Sequence, residues 1–510
     1  MSPSIPVGEV RLLGDRAFLI GVPDPTAARL AAGELATALG DEAEVVCGAA
    51  SVMVRATDAD VALAALLAVA QEAHAERERP VRSEEAGEGR LVTIPCRFDG
   101  PDLDEVASLA RCRPDDVVSL LTAGPLTAAV VGFSPGFAYL DGLPGPLAGV
   151  PRRPRPRPVV PAGSVAIANG HAAVYPTASP GGWHLVGRTG FALFSPQRPP
   201  YGVLAPGDRV RFTVAAPGAP TEPEPVAPPQ WSLPSGARAV LEVEAPGLRA
   251  VVQDGGRRGV AAVGVPAAGP ADPVSFELAN RVAGNPSGAG ALELTGGGTR
   301  LRCLGACHVA VVGAAPEVSV DGVAVPAGRL VPLDAGRLLA VGRQHAGWRT
   351  YVSVAGGVLG PEWFGSSATD ELTGLGPGPL TRGDIVRAGA WAPPLGDHLV
   401  RNDATDIDPS SVVELRVVPG PHAEQFAHDA LPRLAAALFT VQPESNRVGL
   451  RLRAEHAVTV RNEGGGGALD SQGVVTGAVQ VPPDGDPVIL LPDHATLGGY
   501  PLLAVVVSAD

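Results

Sequence analysis

The residues with chemistry to offer fall in a few glycine-rich runs. Ser179-Pro-Gly-Gly-Trp-His-Leu-Val-Gly-Arg-Thr189 is the most informative. Gly181 and Gly182 let a backbone approach a ligand, Trp183 offers a flat apolar wall, and the Arg188 guanidinium is a bidentate fork for a carboxylate. A β-turn ending in an exposed arginine accounts for the same residues equally well, and the run alone does not choose. Gly132-Phe133-Ser134-Pro135-Gly136 has the G-x-S-x-G spacing of a nucleophile elbow. An elbow, however, uses the N–H of the residue after serine in its oxyanion hole, and Pro135 has no N–H. The turn-rich FAYLDGLPG that follows is not the expected helix either. The run reads instead as a glycine- and proline-shaped loop presenting Phe133, Phe137 and Tyr139.

Other runs weigh towards plainer roles. Cys303-Leu-Gly-Ala-Cys307-His308 has one residue too many between its cysteines for haem attachment, and no second pair is spaced for zinc, so reduced strand cysteines are expected and no metal set. The arginine–proline run 152–158 reads as an exposed loop, and Asn462-Glu-Gly-Gly-Gly-Gly467 as a hairpin, since no Lys-Ser/Thr follows it. The chain contains no lysine, so its 39 basic residues are all arginine. That excludes a Walker A loop, a Schiff base, a lysine nucleophile and covalent biotin on this chain.

The elements that must position these residues are mostly strands. Residues 9–22 and 43–56 read as strands, each followed by a helical pattern, the second with Leu63, Leu66, Leu67 and Ala70 at i, i+3, i+4, i+7. After a polar linker at 81–90, strands and turns dominate to Thr213, apart from helical 102–110 and 114–121. Seven prolines between 217 and 234 mark a semi-rigid spacer. Strands follow again. Asp272 and Pro273 open one helix with Val274, Leu278 and Val282 on a face, stopped by Gly284 and Pro286. GPLTRGDIV (378–386) echoes VLAPGDRV (203–210), a glycine–aspartate turn entering a strand, so Arg382-Gly-Asp384 is read as that turn rather than an adhesion signal. Expected domains are a small α/β domain at 1–85, a β-barrel at 90–214, the spacer at 215–236, and β domains at 237–400 and 410–510.

Composition agrees with a turn-dense β protein. Glycine and proline supply 118 of 510 residues without a fixed period. A net charge of -14 argues against nucleic-acid or anionic-membrane binding. Apolar stretches such as 61–70 are too short to span a bilayer. With five scattered cysteines and no basic n-region leading into an apolar segment, a cytoplasmic protein is expected.

Four blocks carry a family resemblance: GFSPGFAYLDGL (132–143), PAGSVAIANG…SPGGWHLVGRT (161–189), VQDGGRRGVAAVGVPAAGPAD (252–272) and QGVVTGAVQVPPDG…DHATLGGYP (472–501). The first two resemble the B-type subunit of 5-oxoprolinase (allophanate hydrolase subunit 1), the last two its C-type subunit (allophanate hydrolase subunit 2). The resemblance runs in order along nearly the whole chain, with the spacer where one subunit ends and the other begins. It implies a mainly β fold with some α/β: cyclophilin-like β-barrel domains plus a small N-terminal α/β domain. It also implies ATP- and magnesium-dependent opening of 5-oxoproline to glutamate with a separate A-type subunit of 5-oxoprolinase, and is compatible with a homo-oligomer. A related branch is the biotin-dependent carboxyltransferase domain of urea carboxylase, and a third comprises regulators of a sporulation histidine kinase.

By the same resemblance, Asp254, Glu293, Asp484 and Asp493 are candidate general bases or magnesium ligands. Residues implied to face a small amide or lactam are Phe133, Pro135, Gly136, Phe137, Tyr139, Gly181, Gly182, Trp183, Arg188 and Thr189. Arg257, Asn446, Arg447, Gln480, Thr496, Gly498, Gly499 and Tyr500 complete that set. The chain departs from the family pattern at Ala268, Gln472, Ala495 and Leu497, and has His171 where glutamine is common. These changes in ligand-like loops point to an altered substrate or a weakened activity.

Overall fold

Asp24 accepts a hydrogen bond from the Ala27 N–H at 2.8 Å and Pro25 opens the first turn, so the first helix is Pro25–Leu39. The structure, a computed structural model, describes residues 9–56, 61, 89–155, 157–224, 226, 229, 231–314, 316–390, 412–454 and 469–510. The helical pattern expected at Leu63–Ala70, most of the 81–90 linker and the glycine run 462–467 lie outside those residues. The fold is mostly β, with 36% strand against 14% helix, and includes a nearly closed barrel-like sheet. Among the described residues no helix is long and apolar enough to cross a membrane.

The chain divides into two compact units. One comprises Met1–Val226, Gly259–Pro266 and Leu415–Asp510; the other Ala227–Arg258 and Ala267–Glu414. In the first unit, the helix Pro25–Leu39 buries Ala28 and Ala31 against an antiparallel sheet. Its strands run in the order Val10–Leu12, Ala17–Gly21, Ser51–Ala56, Ala43–Cys47. Each segment expected as one strand is therefore a hairpin. The first turns at Gly14, whose φ of +84° suits glycine, and the second at Gly48, whose N–H donates to Ser51 O.

The barrel of this unit is a seven-stranded sheet. Its order is His184–Arg188, Ser164–Ala168, His171–Val174, Ala138–Asp141, Leu126–Val131, Arg209–Val214, Leu91–Cys96. The two outer strands meet where Arg97 and Arg188 exchange backbone hydrogen bonds at 2.8 Å each way, an isolated bridge that nearly closes the sheet. Ile94, Leu140, Ile167, Val186 and Phe212 fill the interior with helices Leu103–Leu109 and Pro114–Thr122 against it. Each such side chain contributes ~1.5–3 kcal/mol by leaving water. The start of the proline spacer lies on this barrel, with Pro220 O accepting from Gly190 N at 3.0 Å.

Residues 415–510 complete the unit. A six-stranded sheet runs Val417–Pro419, Leu502–Val506, Ala478–Gln480, Val488–Leu490, Gly449–Ala454, Phe439–Val441. Leu13, Leu19 and Met53 of the N-terminal sheet, Val130 of the barrel, and Val474, Leu497, Leu502 and Val505 of this last segment form one core.

The second unit holds a seven-stranded and a five-stranded sheet around Val243, Leu292, Leu301, Val309, Leu339 and Val352. Its helix Pro273–Val282 is capped by Asp272, which accepts from Ser275 N at 3.0 Å. Of the expected apolar face, Val282 is buried and Leu278 packs partly buried, but Val274 is 69% exposed and its place is taken by Phe276 and Ala279. Asn280 is buried beside them because its amide donates to Ala289 O and accepts from Ser353. The echo between the halves is a shared turn. Asp208 accepts from Ala205 N and Asp384 from Thr381 N, each aspartate capping the residue three before it as a strand begins. Cys303 and Cys307 are free, buried strand residues.

Candidate functional site

The strand Leu126–Val131 leads into the loop Gly132–Phe137, which turns straight into the strand Ala138–Asp141. Gly132 N donates to Phe137 O at 2.9 Å and Phe137 N to Ser134 O at 3.0 Å. Phe133 is held at φ +73° and Gly136 at +75°. Gly136 N also donates to Val263 O at 3.1 Å, while a Cβ on Gly264 would stand 2.4 Å from Ser134 O, so the 259–266 segment packs directly on this loop. The Ser134 hydroxyl is buried without a hydrogen-bond partner among the described residues. An orphaned buried hydroxyl costs about 1–3 kcal/mol, so this donor is open to a partner other than the described residues.

Across from Gly132 stands the loop 493–499. A Cβ on Gly132 would lie 2.3 Å from Leu497 Cδ1 and 3.2 Å from Thr496 Oγ1, and the buried Thr496 hydroxyl also lacks a partner among the described residues. Asp493 fixes this loop: it accepts from Arg447 Nε at 2.9 Å and Nη2 at 2.8 Å, with both side chains almost fully buried. Backbone bonds from Asp493 N to Arg447 O and from Leu491 N to Val448 O reinforce the join. Asn446 shapes the turn before it by accepting from Val448 N. His494 is buried next to this pair, and burial lowers its imidazole to about 4.

An aromatic cluster lines the same end of the barrel. Phe137 meets Phe133, Tyr139, Tyr175 and Trp183 edge-on at centroid distances of 5.4, 5.1, 5.3 and 6.0 Å. Gly181 makes room for it, since a Cβ there would meet the Tyr175 hydroxyl at 2.4 Å. Trp183 is only 5% exposed; its face is covered by the ring of His171, stacked at 6.4 Å and 19°. His171 Nδ1 lies 2.5 Å from Asp141 Oδ1. Burial pushes the Tyr139 phenol up, while a hydrogen bond from the Ser471 side chain acts the other way. Ser471 O accepts from Ala49 N, and Gln472–Gly473 pairs with Leu497–Gly498, so three parts of the sequence converge here.

The structure thus brings together Phe133, Pro135, Gly136, Phe137, Tyr139, Gly181, Gly182, Trp183 and Thr496. It places the other expected residues elsewhere or in other company. Arg188 sits on the barrel's closing strand and forks onto Asp99 at 2.9 and 2.8 Å, and Thr189 donates to Pro95 O. Gly498 lies against the Gln480 amide, Gly499 O accepts from Leu469 N, and Tyr500 is exposed. Asp484 is an exposed turn residue accepting from Asp486 N. In the second unit, Asp254 accepts from Ser366 Oγ, Ser367 N and Gly256 N. Glu293 accepts from Tyr351 Oη at 2.7 Å and Ala271 N at 2.9 Å, and Arg257 donates to Ala368 O. Sequence reasoning passed over Asp141, Tyr175 and Ser471. Asp141 is found only through register: Ala172 opposes Leu140, which sets His171 against Asp141.

A family model described as carboxyltransferase domain, subdomain C and D, matches residues 9–204, and one for subdomain A and B matches 263–510. The chain is 31% identical over 277 residues to the C-type subunit of 5-oxoprolinase from Escherichia coli, which is 53% of this chain and 86% of that one. It is 44% identical over 126 residues to the B-type subunit of 5-oxoprolinase from Bacillus subtilis, 24% of this chain and about half (52%) of the relative's length. A crystal structure of the protein TTHA0988 superposes with a TM-score of 0.82 at 33% identity, covering 97% of this chain and 96% of that one.

Proposed function

Because this chain belongs to the carboxyltransferase-domain family that includes the separate B-type and C-type subunits of 5-oxoprolinase, we propose that it is a fused B/C component of a 5-oxoprolinase-type enzyme. With an A-type partner it opens 5-oxoproline, a five-membered lactam, to glutamate using ATP. One observation carries this reading. Residues of the B-like half and the last hundred residues of the C-like half share a core, and the partnerless hydroxyls of Ser134 and Thr496 lie on loops that meet there. A lactam is an unreactive amide, so it needs donors aimed at its oxygen in a place that excludes water. Ser134 and Thr496 are the donors in this reading, and the Phe133, Phe137 and Tyr139 cluster excludes water. Arg447 and Asp493 then hold the Thr496 loop, and Arg188 secures the barrel seam.

ATP and magnesium do not fit the donor set of this site. Among the described residues no group of three His, Cys, Asp or Glu is gathered to hold a metal ion, and the forks of Arg188 and Arg447 are engaged by carboxylates. Nucleotide handling is therefore assigned to the partner. We place the complex in the cytoplasm, in keeping with five unpaired cysteines. A second reading, a carboxyltransferase fed with carboxybiotin by another protein, draws on the carboxyltransferase description of both matched domains.

The test is 5-oxoproline-dependent ATP hydrolysis and glutamate release by the chain with its cognate A-type partner. Glutamate release only in the mixture is expected; no turnover, together with biotin binding, overturns the reading.

A further inference from the structure

One titratable pair in the candidate site has no part in the scheme above. Asp141 Oδ1 lies 2.5 Å from His171 Nδ1. An ionised carboxylate only accepts, so in the neutral imidazole the proton sits on Nδ1 and Nε2 is left as a bare acceptor. The ring is fixed in direction. Its backbone opposes that of Asp141 across the sheet, Trp183 stacks on its face, and Tyr139 meets it edge-on at 5.9 Å. The indole beneath is covered, whereas the His171 and Asp141 side chains are 35% and 40% exposed. With the imidazole neutral, this end of the barrel therefore offers a nitrogen acceptor on a ring bordered by aromatic side chains. The charges near these rings include Asp141 itself, Arg152, which acts on the Tyr139 and Tyr175 phenols, and Arg157, which acts on Tyr175 and donates to Trp183 O.

We infer that His171 is a specificity-determining residue whose Nε2 accepts the N–H of a small amide-type ligand, with Asp141 as its positioning residue. This rests on the function proposed above, in which that ligand is a cyclic amide. A secondary lactam presents one N–H beside one C=O. In this proposal His171 reads the first, while the Ser134 and Thr496 hydroxyls of the function proposed above read the second. A site built around such an acceptor discriminates against a ligand lacking the donor, because the acceptor is then left unpaired. The selection is for the unsubstituted ring nitrogen, independent of how the carbonyl is later activated.

The experiment is calorimetric titration of the full chain, alone and with its partner protein, with four ligands: 5-oxoproline, its N-methyl analogue, urea and biotin. Wild type is expected to prefer 5-oxoproline over the N-methyl analogue by about tenfold, one neutral hydrogen bond. His171→Phe keeps a ring on Trp183 but removes the acceptor, and should bring the two lactams to equal affinity by weakening only the first. Asp141→Asn, which frees the ring to present either nitrogen, should lose part of the preference. His171→Phe that melts like wild type yet keeps the full preference overturns the inference and leaves the lactam reading standing. If 5-oxoproline fails to bind but urea or biotin binds in a His171-dependent way, the acceptor role holds and the 5-oxoproline reading falls. Wild type that binds none of the four overturns the inference.

Discussion

Arg188 and Arg447 make the same contact in two settings. Each guanidinium forks onto an aspartate at 2.9 and 2.8 Å. The Arg188–Asp99 side chains are 45% and 34% exposed, those of Arg447–Asp493 2% and 0%. Geometry alone would rank the pairs equal. Water separates them: the exposed fork exchanges one good solvation for another, whereas the buried fork has given up hydration on both sides. The buried pair is thus a commitment of the loop it holds, and the exposed pair trims a barrel seam that two backbone hydrogen bonds already close.

The largest test of that contrast is Asp493→Ala, which takes the paired carboxylate away from the buried Arg447 guanidinium. We expect a loss of about 3–5 kcal/mol by urea denaturation. A loss near that of Arg188→Ala would erase the distinction. The same interior should respond to acid. His422 and His494 are both lowered to about 4, chiefly by burial. Their folded values lie below the ordinary 6.5, so the unfolded chain binds the proton better. Stability is complete above pH 6.5 and falls as the pH drops towards 4, by up to about 3 kcal/mol per histidine. Unfolding free energies measured at pH 7, 5.5 and 4 check this; a flat profile would mean the two rings are hydrated.

Gly264→Ala probes the loop junction beside Ser134, because it adds a Cβ at φ +82° against a backbone carbonyl. A cost of about 2 kcal/mol is expected. Gly33→Ala, in the first helix with nothing within 4 Å, should stabilise by up to about 1 kcal/mol. Arg188→Ala should cost the least of all, and salt should shrink even that. A larger loss would show that the fork, and not the backbone bridge, closes the barrel.

Much of the fold is legible in local chemistry. The Asp272 cap and the paired Asp208 and Asp384 turns act over three residues, and short-range signals of that kind survive in sequence. The aromatic loop at Phe133–Tyr139 is legible for the same reason. The partners of the arginines are not: Asp99 lies 89 residues from Arg188, and Asp493 46 from Arg447. Nothing along the chain announces such meetings. Strand register likewise decides that His171 faces Asp141, and the hairpin at Gly14 depends on a backbone angle glycine permits but does not dictate.

The shared core described above also sets a timetable. Leu13, Leu19 and Met53 are translated first, yet the side chains that cover them, Val474, Leu497, Leu502 and Val505, come last. Between these events the ribosome must make the long stretch from Met53 to Val474, on the order of a minute at ordinary elongation speeds. For that interval an apolar surface at the amino end has no native cover, while the second unit is already complete enough to fold. The early strands of this core therefore stay uncovered until the late ones are made, a delay that sequence distance alone imposes.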